Sequence, residues 1–497
     1  MNLGIYEDSE LVIGLVGAVG TDLENITRII SARLAAYRYT VDNLRISKEC
    51  IIPLCEELDI KSTLAPNATF FNKVNSLMDC GNEIRQKTGC NEILALACAG
   101  VIRTSRGTGE GAVAKPESRK AYIINSLKNP DEVDTLRKIY SKSFLLIGVH
   151  CNKNKRKSYL MDNHLLEEEE ANELIDRDIN ENNKFGEHTQ DTFHLSDFYI
   201  DYGTNSEKLE KDIWRILDLI FGKPFLTPTP DEFAMFMAFS ASLRSADLSR
   251  QVGAVVARGE DIISTGANDV PKFGGGLYWP SIKYSEKYEI SDAPEGRDYM
   301  RGEDSNHAQK QEIIEEILSV IEDEEDRDKF REILIKSPIK DITEYGRIVH
   351  AEMEALMSCT RNNQCTKNAT LYCTTFPCHN CAKHIIAAGI TRVVYIEPYP
   401  KSKALEFHND SITENKLDSN AKVFFEPFVG VGPRSFYNLF SMNLGSGEPV
   451  KRKLKGKTIK WKPQSANLRM QILPNSYLEL EEVAAKEVIN VIDSLEE

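Results

Sequence analysis

Two short strings carry side chains that could do chemistry together, His350-Ala351-Glu352 and Pro377-Cys378-His379-Asn380-Cys381. One imidazole and two thiolates, from His350, Cys378 and Cys381, are soft to borderline ligands for a tetrahedral Zn²⁺, and three of them leave a fourth position open for water. An open position points to catalysis, where a closed cage of four would point to structure. Zinc lowers the pKa of its bound water from near 16 to roughly 7. Glu352, not a ligand in this reading, is the candidate catalytic acid and base for that water's proton. Pro377 suits the first position of a helix, and Cys378 and Cys381, three apart, would then present both sulfurs on one face. The positive end of such a helix and the metal both favour thiolate over thiol. His350 and Glu352 are two apart and would not share a face in mid-helix. They are expected at the irregular first turn of a helix running through Glu354 to Met357. A zinc knuckle or a chance cysteine pair is the bland alternative, and neither needs His, Glu, Pro and both Cys in this order.

The elements that must position these groups read as a second domain. A helix is expected from Asp231 to Leu243, paired strands at Gln251–Ala257 and Ile262–Gly266, and core strands at Thr370–Cys373 and Arg392–Ile396. Lys272 to Val349 interrupts with glycine-rich and charged sequence, including one long polar helix near Gln309 to Lys336. The acidic run Glu322 to Asp326 is most simply a solvated face. A break at Gly222-Lys223-Pro224, with Pro228 and Pro230 behind it, marks a boundary.

Before that boundary, Glu10 to Val16 reads as an apolar strand ending in Gly17-Ala18-Val19-Gly20-Thr21-Asp22, with a helical pattern from Leu23 to Tyr37. Strand, glycine turn and helix begin a phosphate-binding unit, and Gly17, Gly20 and Thr21 are its candidate nucleotide contacts. There is no GxxxxGK[ST], however, and no lysine between the turn and Arg28. Backbone N–H groups could still cradle phosphate, but the cation for the outer phosphates is missing. A sensing or structural loop is expected in preference to an active kinase. Leu94–Ile102, Ala121–Leu127, Phe144–Cys151 and Asp197–Ile200 read as buried strands, with helices at Pro130–Tyr140 and Glu207–Phe221. Strands alternating with helices imply a parallel sheet covered on both faces.

Bulk properties bound the rest. A chain of 497 residues is long enough for two to four domains. The formal charge of −15 argues against a general nucleic-acid binder and for a small-molecule substrate. Eleven cysteines, two assigned to metal, suggest a reducing compartment without disulfides. The opening MNLGIYEDSE has no basic and apolar leader pattern, and the longest apolar run, near Ile93 to Ile102, is too short to span a bilayer. A cytoplasmic protein without a membrane partner is expected.

The string H-x-E followed by P-C-x-x-C is the general signature of zinc nucleobase deaminases. Together with Ser245-Ala246-Asp247-Leu248-Ser249-Arg250-Gln251-Val252-Gly253-Ala254-Val255-Val256, Ile263 to Pro271 and Thr374 to Gly389, it resembles the deoxycytidylate deaminase branch of the cytidine deaminase-like superfamily. This copy has Gly266-Ala267-Asn268-Asp269 where many relatives have Gly-Tyr-Asn-Gly. The resemblance implies a Zn²⁺ cofactor, hydroxide attack at C4 of cytosine with Glu352 serving ring N3 and the leaving ammonia, and Asn268 as a substrate contact. Tyr399 and Lys401, in Tyr399-Pro400-Lys401-Ser402-Lys403 after a core strand, are candidates for the substrate phosphate; Arg297 and Arg301 are a second group.

The wider arrangement resembles the bacterial antiviral deoxycytidine nucleotide deaminases. It rests on the N-terminal glycine turn, Ser126-Leu127-Lys128-Asn129-Pro130-Asp131-Glu132-Val133, the deaminase strings and Phe428-Val429-Gly430-Val431-Gly432-Pro433-Arg434. The fold this implies is α/β, an N-terminal P-loop NTPase-like doubly wound parallel sheet plus a C-terminal cytidine deaminase-like α/β/α sandwich. The expected spans are 1–225 for a kinase-like domain, 226–475 for the deaminase and 476–497 for an acidic helix. It also implies conversion of dCTP and dCMP to dUTP and dUMP during phage infection, restraint by an inhibitory small RNA, an NTP partner at the N-terminal domain, and a homo-oligomer.

One basic stretch stands out, Lys451, Arg452, Lys453, Lys455 and Lys457, then Lys460 and Trp461. Clustered cations beside an indole are equipment for single-stranded RNA, and a solvated surface strand is the plainer reading. Two alternatives to a free-nucleotide deaminase therefore stand: a polynucleotide deaminase using this stretch as its groove, and an RNA- or nucleotide-binding regulator on a deaminase scaffold. Intact Glu352 speaks against the second, because a scaffold has no need of a proton shuttle.

Overall fold

A computed structural model describes residues 8–60, 68–106, 116–180, 186–203, 205–284, 288–399, 402–443 and 449–471. The chain divides into two compact units, Met1–Pro228 with Val429–Glu497, and Thr229–Phe428.

The first unit is built on strands β1 (Leu11–Gly17), β2 (Thr40–Arg45), β3 (Lys120–Asn125), β4 (Phe144–His150) and β5 (Phe198–Asp201). They run parallel in the order β5-β4-β1-β3-β2, and a short strand at Gly430–Val431 adds antiparallel to β5. Every residue of β1 is buried, as a central parallel strand covered on both faces requires. Helix α1 (Leu23–Ala36) turns Ile26, Ile30 and Leu34 to one face of the sheet. Helices α2 (Phe70–Thr88), α3 (Ile93–Ser105) and α4 (Pro130–Tyr140) place Ile84, Leu94, Cys98, Ile102 and Leu136 on the other. Each such fully buried Leu or Ile contributes about 1.5–3 kcal/mol. Helix α4 starts as the sequence demands: Pro130 at its first turn and a reciprocal Asn129–Glu132 capping box. Helix α5 (Glu168–Asn180) and the amphipathic α6 (Ser206–Ile220) follow, the latter burying Leu209, Ile213, Ile216, Leu217 and Ile220.

Three expectations are corrected. Leu94–Ile102 lies within a helix and is not a strand: Leu94, Ala95, Cys98 and Ile102 are buried while Leu96 is 46% exposed. A short apolar run does not separate the two states by pattern, and its alanines favour helix. The span expected for the deaminase, 226–475, ends earlier. After Phe428 the chain returns to the first unit, where Val431, Ala466, Leu468 and Met470 join the core cluster of Leu11 and Ile13. Ser435 Oγ donates to Asp197 (2.7 Å) and Ser143 Oγ to the Met470 carbonyl (2.7 Å). The expected acidic helix at 476–497 lies outside the described residues. Finally, the single polar helix near Gln309–Lys336 is two, Ser305–Leu318 and Glu324–Lys336, the second opened by Asp323 accepting from the Asp326 amide (3.0 Å).

The second unit opens with α7 (Pro230–Ser242), again with Pro at the first turn and a Thr229–Glu232 capping box. Strands β6 (Gly253–Arg258) and β7 (Asp261–Ala267) form an antiparallel pair. After the insertion come α8 (Ala351–Arg361), β8 (Thr370–Thr375), α9 (His379–Ala387), β9 (Arg392–Glu397), β10 (Ile412–Thr413) and β11 (Val423–Pro427). The sheet order is β10-β11-β9-β8-β6-β7, parallel from β8 through β10 and antiparallel beyond. Two glycines let helices lie directly on it. A Cβ on Gly253 would run into the Ala238 carbonyl of α7, and one on Gly266 into the backbone of Ala351 and Ala355 of α8. Among the described residues no helix is long and apolar enough to cross a membrane.

Candidate metal centre and active site

Two helix starts meet over one face of the second sheet, where α8 and α9 share a core cluster. His350 is the N-cap of α8, in extended backbone (φ −66°, ψ 151°), so its side chain leaves the helix while its carbonyl accepts from the Glu354 amide (2.9 Å). The bridge between Asp269 and Val349 fixes the strand that delivers it. Glu352 then falls in the first turn and is buried, 4% exposed. This is the irregular placement the two-residue spacing called for. On the second helix the detail differs from expectation. Cys378, not Pro377, caps α9, and Cys381 is its third residue; the Cys378 sulfur accepts from the Cys381 amide (3.4 Å). Pro377 stands just outside the helix, its carbonyl held by Ser402 Oγ (2.8 Å).

These starts bring three ligand atoms together. His350 Nδ1 lies 3.2 Å from Cys381 Sγ and 3.4 Å from Cys378 Sγ, and all three atoms fall within 4.8 Å of one another. Ligands at zinc's usual 2.0–2.3 Å would stand roughly 3.5–3.8 Å apart in a tetrahedron. The donor set therefore fits a zinc ion, and the two nitrogen–sulfur separations fall short of that spacing by only a few tenths of an ångström. Of the three donors only Cys378 already favours its ligand form, since the hydrogen bond to Cys378 and burial hold Cys381 as a thiol and binding zinc must release protons. Hydrogen bonds from Cys381 and His350 hold the Cys378 thiol down at about 4 against the effect of its burial. His350, bonded to Cys378 and near the Glu352 carboxylate, is pushed up to about 9. Burial raises Glu352 above the usual carboxylate range, which suits a group that must hold a proton part of the time.

The other candidate residues lie on other elements. Asn268 is buried (5% exposed) and occupied: its Oδ1 accepts from Val252 N (2.7 Å), and its Nδ2 donates to Asp247 Oδ2 (3.1 Å) and to the Arg250 carbonyl (2.8 Å). It is the clamp of the loop from Ser245 to Val252, with both amide hydrogens committed inside the protein. That loop carries Asp247, whose charge acts on His350, and whose Oδ1 closes a turn onto the Ser249 and Arg250 amides (2.6 and 3.1 Å). Tyr399 packs against the core beneath the site, and Arg250 covers its ring with the guanidinium 5.4 Å from the centroid. Arg250 also donates to Glu397 (3.1 Å), which accepts from Thr375 Oγ1 (2.9 Å) two residues before Pro377. Sequence reasoning passed over Asp247, Arg250 and Glu397. The signal was an Asp two residues before a Ser in a turn, which is weak without the fold. Lys401 lies outside the described residues. Arg297 is buried against Asp292 (3.3 Å) and Asp269 (3.6 Å), and Arg301 Nε donates to the Glu295 carbonyl.

Gly17, Gly20 and Thr21 belong to the first unit, in the turn between β1 and α1, with Gly20 at φ +85°. The basic stretch makes a small exposed hairpin, Lys453–Leu454 with Lys457–Thr458. Its tryptophan is not free to stack a base. Trp461 is half-buried, edge-on to Tyr37 (6.1 Å), with Lys223 over its ring, and Arg452 Nε donates to the Pro224 carbonyl. Lys451, Lys455 and Lys460 make no contact that adds to the RNA reading.

The family model described as the cytidine and deoxycytidylate deaminase zinc-binding region matches residues 228–397. The deoxycytidylate deaminase of Enterobacteria phage T4 is 31% identical over 169 residues, which are 34% of this chain and 77% of that protein. Its counterpart in phage T2 is 30% identical over 169 residues, 34% of this chain and 79% of that protein. A solved dCMP deaminase from cyanophage S-TIM5 aligns with 41% of this chain and 99% of its own, at 18% identity and a TM-score of 0.24.

Proposed function

The chain belongs to the cytidine and deoxycytidylate deaminase family, and we propose that it hydrolyses the exocyclic amine of free deoxycytidine nucleotides, dCMP or dCTP, to give dUMP or dUTP and ammonia. The single observation that carries this reading is the gathering of one imidazole and two sulfurs within 4.8 Å beside the buried Glu352.

His350, Cys378 and Cys381 would hold zinc, whose chemistry when bound is to make a hydroxide nucleophile available near neutral pH. Glu352 takes the attacking water's proton and gives one to ring N3 of the cytosine, then serves the departing amine at C4. Its burial supports this role, because a carboxyl raised above its usual range takes up a proton more readily than an exposed one. Asn268 and Asp247 hold the loop that passes the site. Arg250 and Tyr399, stacked at its edge, supply the cation and hydroxyl suited to a substrate phosphate, with Lys401 as the further candidate. The acidic balance of the chain supports a free nucleotide over a polynucleotide.

The first unit, with its parallel order and a glycine turn between β1 and α1, supports a P-loop kinase-like reading of residues up to 228. On that reading and the resemblance of the fused arrangement, the finer role is depletion of dCTP in defence against phage. Ammonia release from dCMP, dCTP, deoxycytidine and oligonucleotides, beside zinc analysis of the same preparation, tests the activity. A zinc-loaded protein inactive on both nucleotides, or one faster on oligonucleotides, overturns it. Cellular dCTP measured on expression, with and without phage, tests the role.

A further inference from the structure

The first unit contains a cavity of about 380 Å³, remote in sequence from the zinc ligands and within the range of small-molecule sites. Its floor is the glycine turn and the start of α1; Arg85, Lys128 and Glu132 line one side, and Phe70, Tyr159 and His164 another.

Position and charge argue against a polyphosphate here. Set in register with G-x-x-x-x-G-K-[ST], the turn reads Gly17-Ala18-Val19-Gly20-Thr21-Asp22-Leu23-Glu24, so Asp replaces the second glycine, Leu the lysine and Glu the metal-binding hydroxyl. The place of an anion at the turn is already filled. The Val19 amide donates to Asp178 Oδ2 (2.9 Å), and Asp178 Oδ1 accepts from Lys128 Nζ (2.7 Å) and Thr189 Oγ1 (3.1 Å). The cations of the cavity are each neutralised in place: Lys128 by Asp178 and Glu187 (3.6 Å), Arg85 by Glu132 (2.8 Å), and Arg45 by Glu24. A triphosphate would bring several negative charges against Asp22, Glu24 and Glu187 with no uncompensated cation among the lining residues, and Arg156 at the turn is engaged by the Val19 carbonyl (3.1 Å).

What the cavity does offer is an aromatic wall and hydrogen-bonding groups that carry no unbalanced charge. Phe70 and His164 stack at 3.7 Å, and Tyr159 meets His164 edge-on at 5.4 Å. Burial holds His164 below the usual imidazole value, so this wall is uncharged near pH 7. Thr21 Oγ1 and Arg85 Nε are buried atoms with no hydrogen-bond partner, and Arg85 is only 2% exposed. Two unpaired buried donors on one cavity each cost about 1–3 kcal/mol until something accepts from them. Asn125, buried on the same wall, can both donate and accept. We infer that this cavity binds an uncharged nucleoside, its base against the aromatic wall and its hydroxyls toward Thr21 and Arg85, and that it is not a nucleoside triphosphate site.

The test uses the full-length zinc-loaded chain carrying Glu352→Gln, so that no probe is turned over. Adenosine and deoxycytidine, then ATP with and without Mg²⁺, are titrated by calorimetry and by thermal shift. Adenosine, which the cytosine chemistry gives no reason to bind at the zinc site, should bind once per chain and at least about tenfold more tightly than ATP. Thr21→Val and, separately, Phe70→Leu should each weaken adenosine by about tenfold, one lost hydrogen bond or stack. In the Glu352 background of the natural sequence both variants should still deaminate dCMP within about twofold, which also shows that they fold. ATP binding as tight as adenosine overturns the proposal, as does the absence of nucleoside binding or affinities unmoved by both variants. None of these outcomes bears on the deaminase reading, which fails if the zinc-loaded natural chain leaves both nucleotides unchanged or acts faster on oligonucleotides.

Discussion

His350 Nδ1 and Cys381 Sγ stand 3.2 Å apart although 31 residues separate them in the chain. Two helix starts produce that meeting, and each has a sequence cause: an extended residue before Ala351 and a cysteine cap before His379. Removing either ligand should therefore remove the metal without unravelling the helices. Cys381→Ser or His350→Ala is expected to purify with less than about a tenth of the zinc of the natural chain and to lose deamination, with a circular dichroism spectrum unchanged. Chelation should do the same reversibly, with activity returning on added zinc.

Glu352→Gln separates holding the metal from using it. The substitution removes a buried ionisable carboxyl, so melting temperature should hold or rise, and zinc content should stay at one per chain. Turnover of dCMP should fall by about 10²–10⁴-fold, the usual worth of a positioned acid and base. Full zinc with undiminished turnover would assign the proton shuttle to another group.

Gly266 tests how closely α8 must approach. Gly266→Ala sets a methyl against the backbone of Ala351 and Ala355, one and five residues after His350. Backbone cannot step aside as a flexible side chain would, so a loss of about 3 kcal/mol is expected. Zinc affinity should fall with it, since His350 rides on the same helix. Denaturant unfolding beside metal analysis measures both.

Asn268→Ala should act on stability before it acts on substrate affinity. It leaves the part-buried Val252 amide and Arg250 carbonyl without their Asn268 partner, at about 1 kcal/mol for each. A lowered unfolding midpoint with KM raised less than kcat is lowered fits a clamp. An unchanged midpoint with KM alone raised would restore Asn268 to the substrate.

Acid should loosen the second unit at α7. Burial by itself would raise Asp231, but hydrogen bonds from Arg392 (2.7 and 2.9 Å) and Tyr372 (2.6 Å) overcome it and hold the carboxyl below 3.8. The unfolded chain then binds the proton more readily, so this stability is present above pH about 4 and disappears as pH falls through the lower folded value. Asp231 is about a third exposed, which trims the contribution to about 1–2 kcal/mol. Asp231→Asn should lose that much at pH 7 and flatten the fall between pH 5 and pH 3, read by denaturant midpoints.

Much of this site was legible because its chemistry is local. A histidine cap, a first-turn glutamate and two cysteines three apart occupy two short strings, and helix starts announce themselves in Pro130, Asn129, Thr229 and Pro230. What escaped depends on distance along the chain. Asn268 reads as a ligand contact from its string, and its bonds to Val252, Asp247 and Arg250 are visible only in the fold. Leu94 to Ile102 reads as a strand until its alanines are weighed, and nothing local in Gly430-Val431 says that it will pair with Tyr199 and Phe198. Pairings over some 230 residues leave no periodic trace.

Because the Thr229–Phe428 unit sits inside the other in sequence, synthesis must run through the whole deaminase before it reaches the last strand and the Leu468–Met470 plug of the sheet begun at Leu11. During translation the earlier-made layer therefore waits with one border unpaired and part of its oily interior uncovered. A ribosome-stalled product ending near 428 should for that reason be the aggregation-prone species, while a fragment of 229–428 made alone carries its own complete sheet.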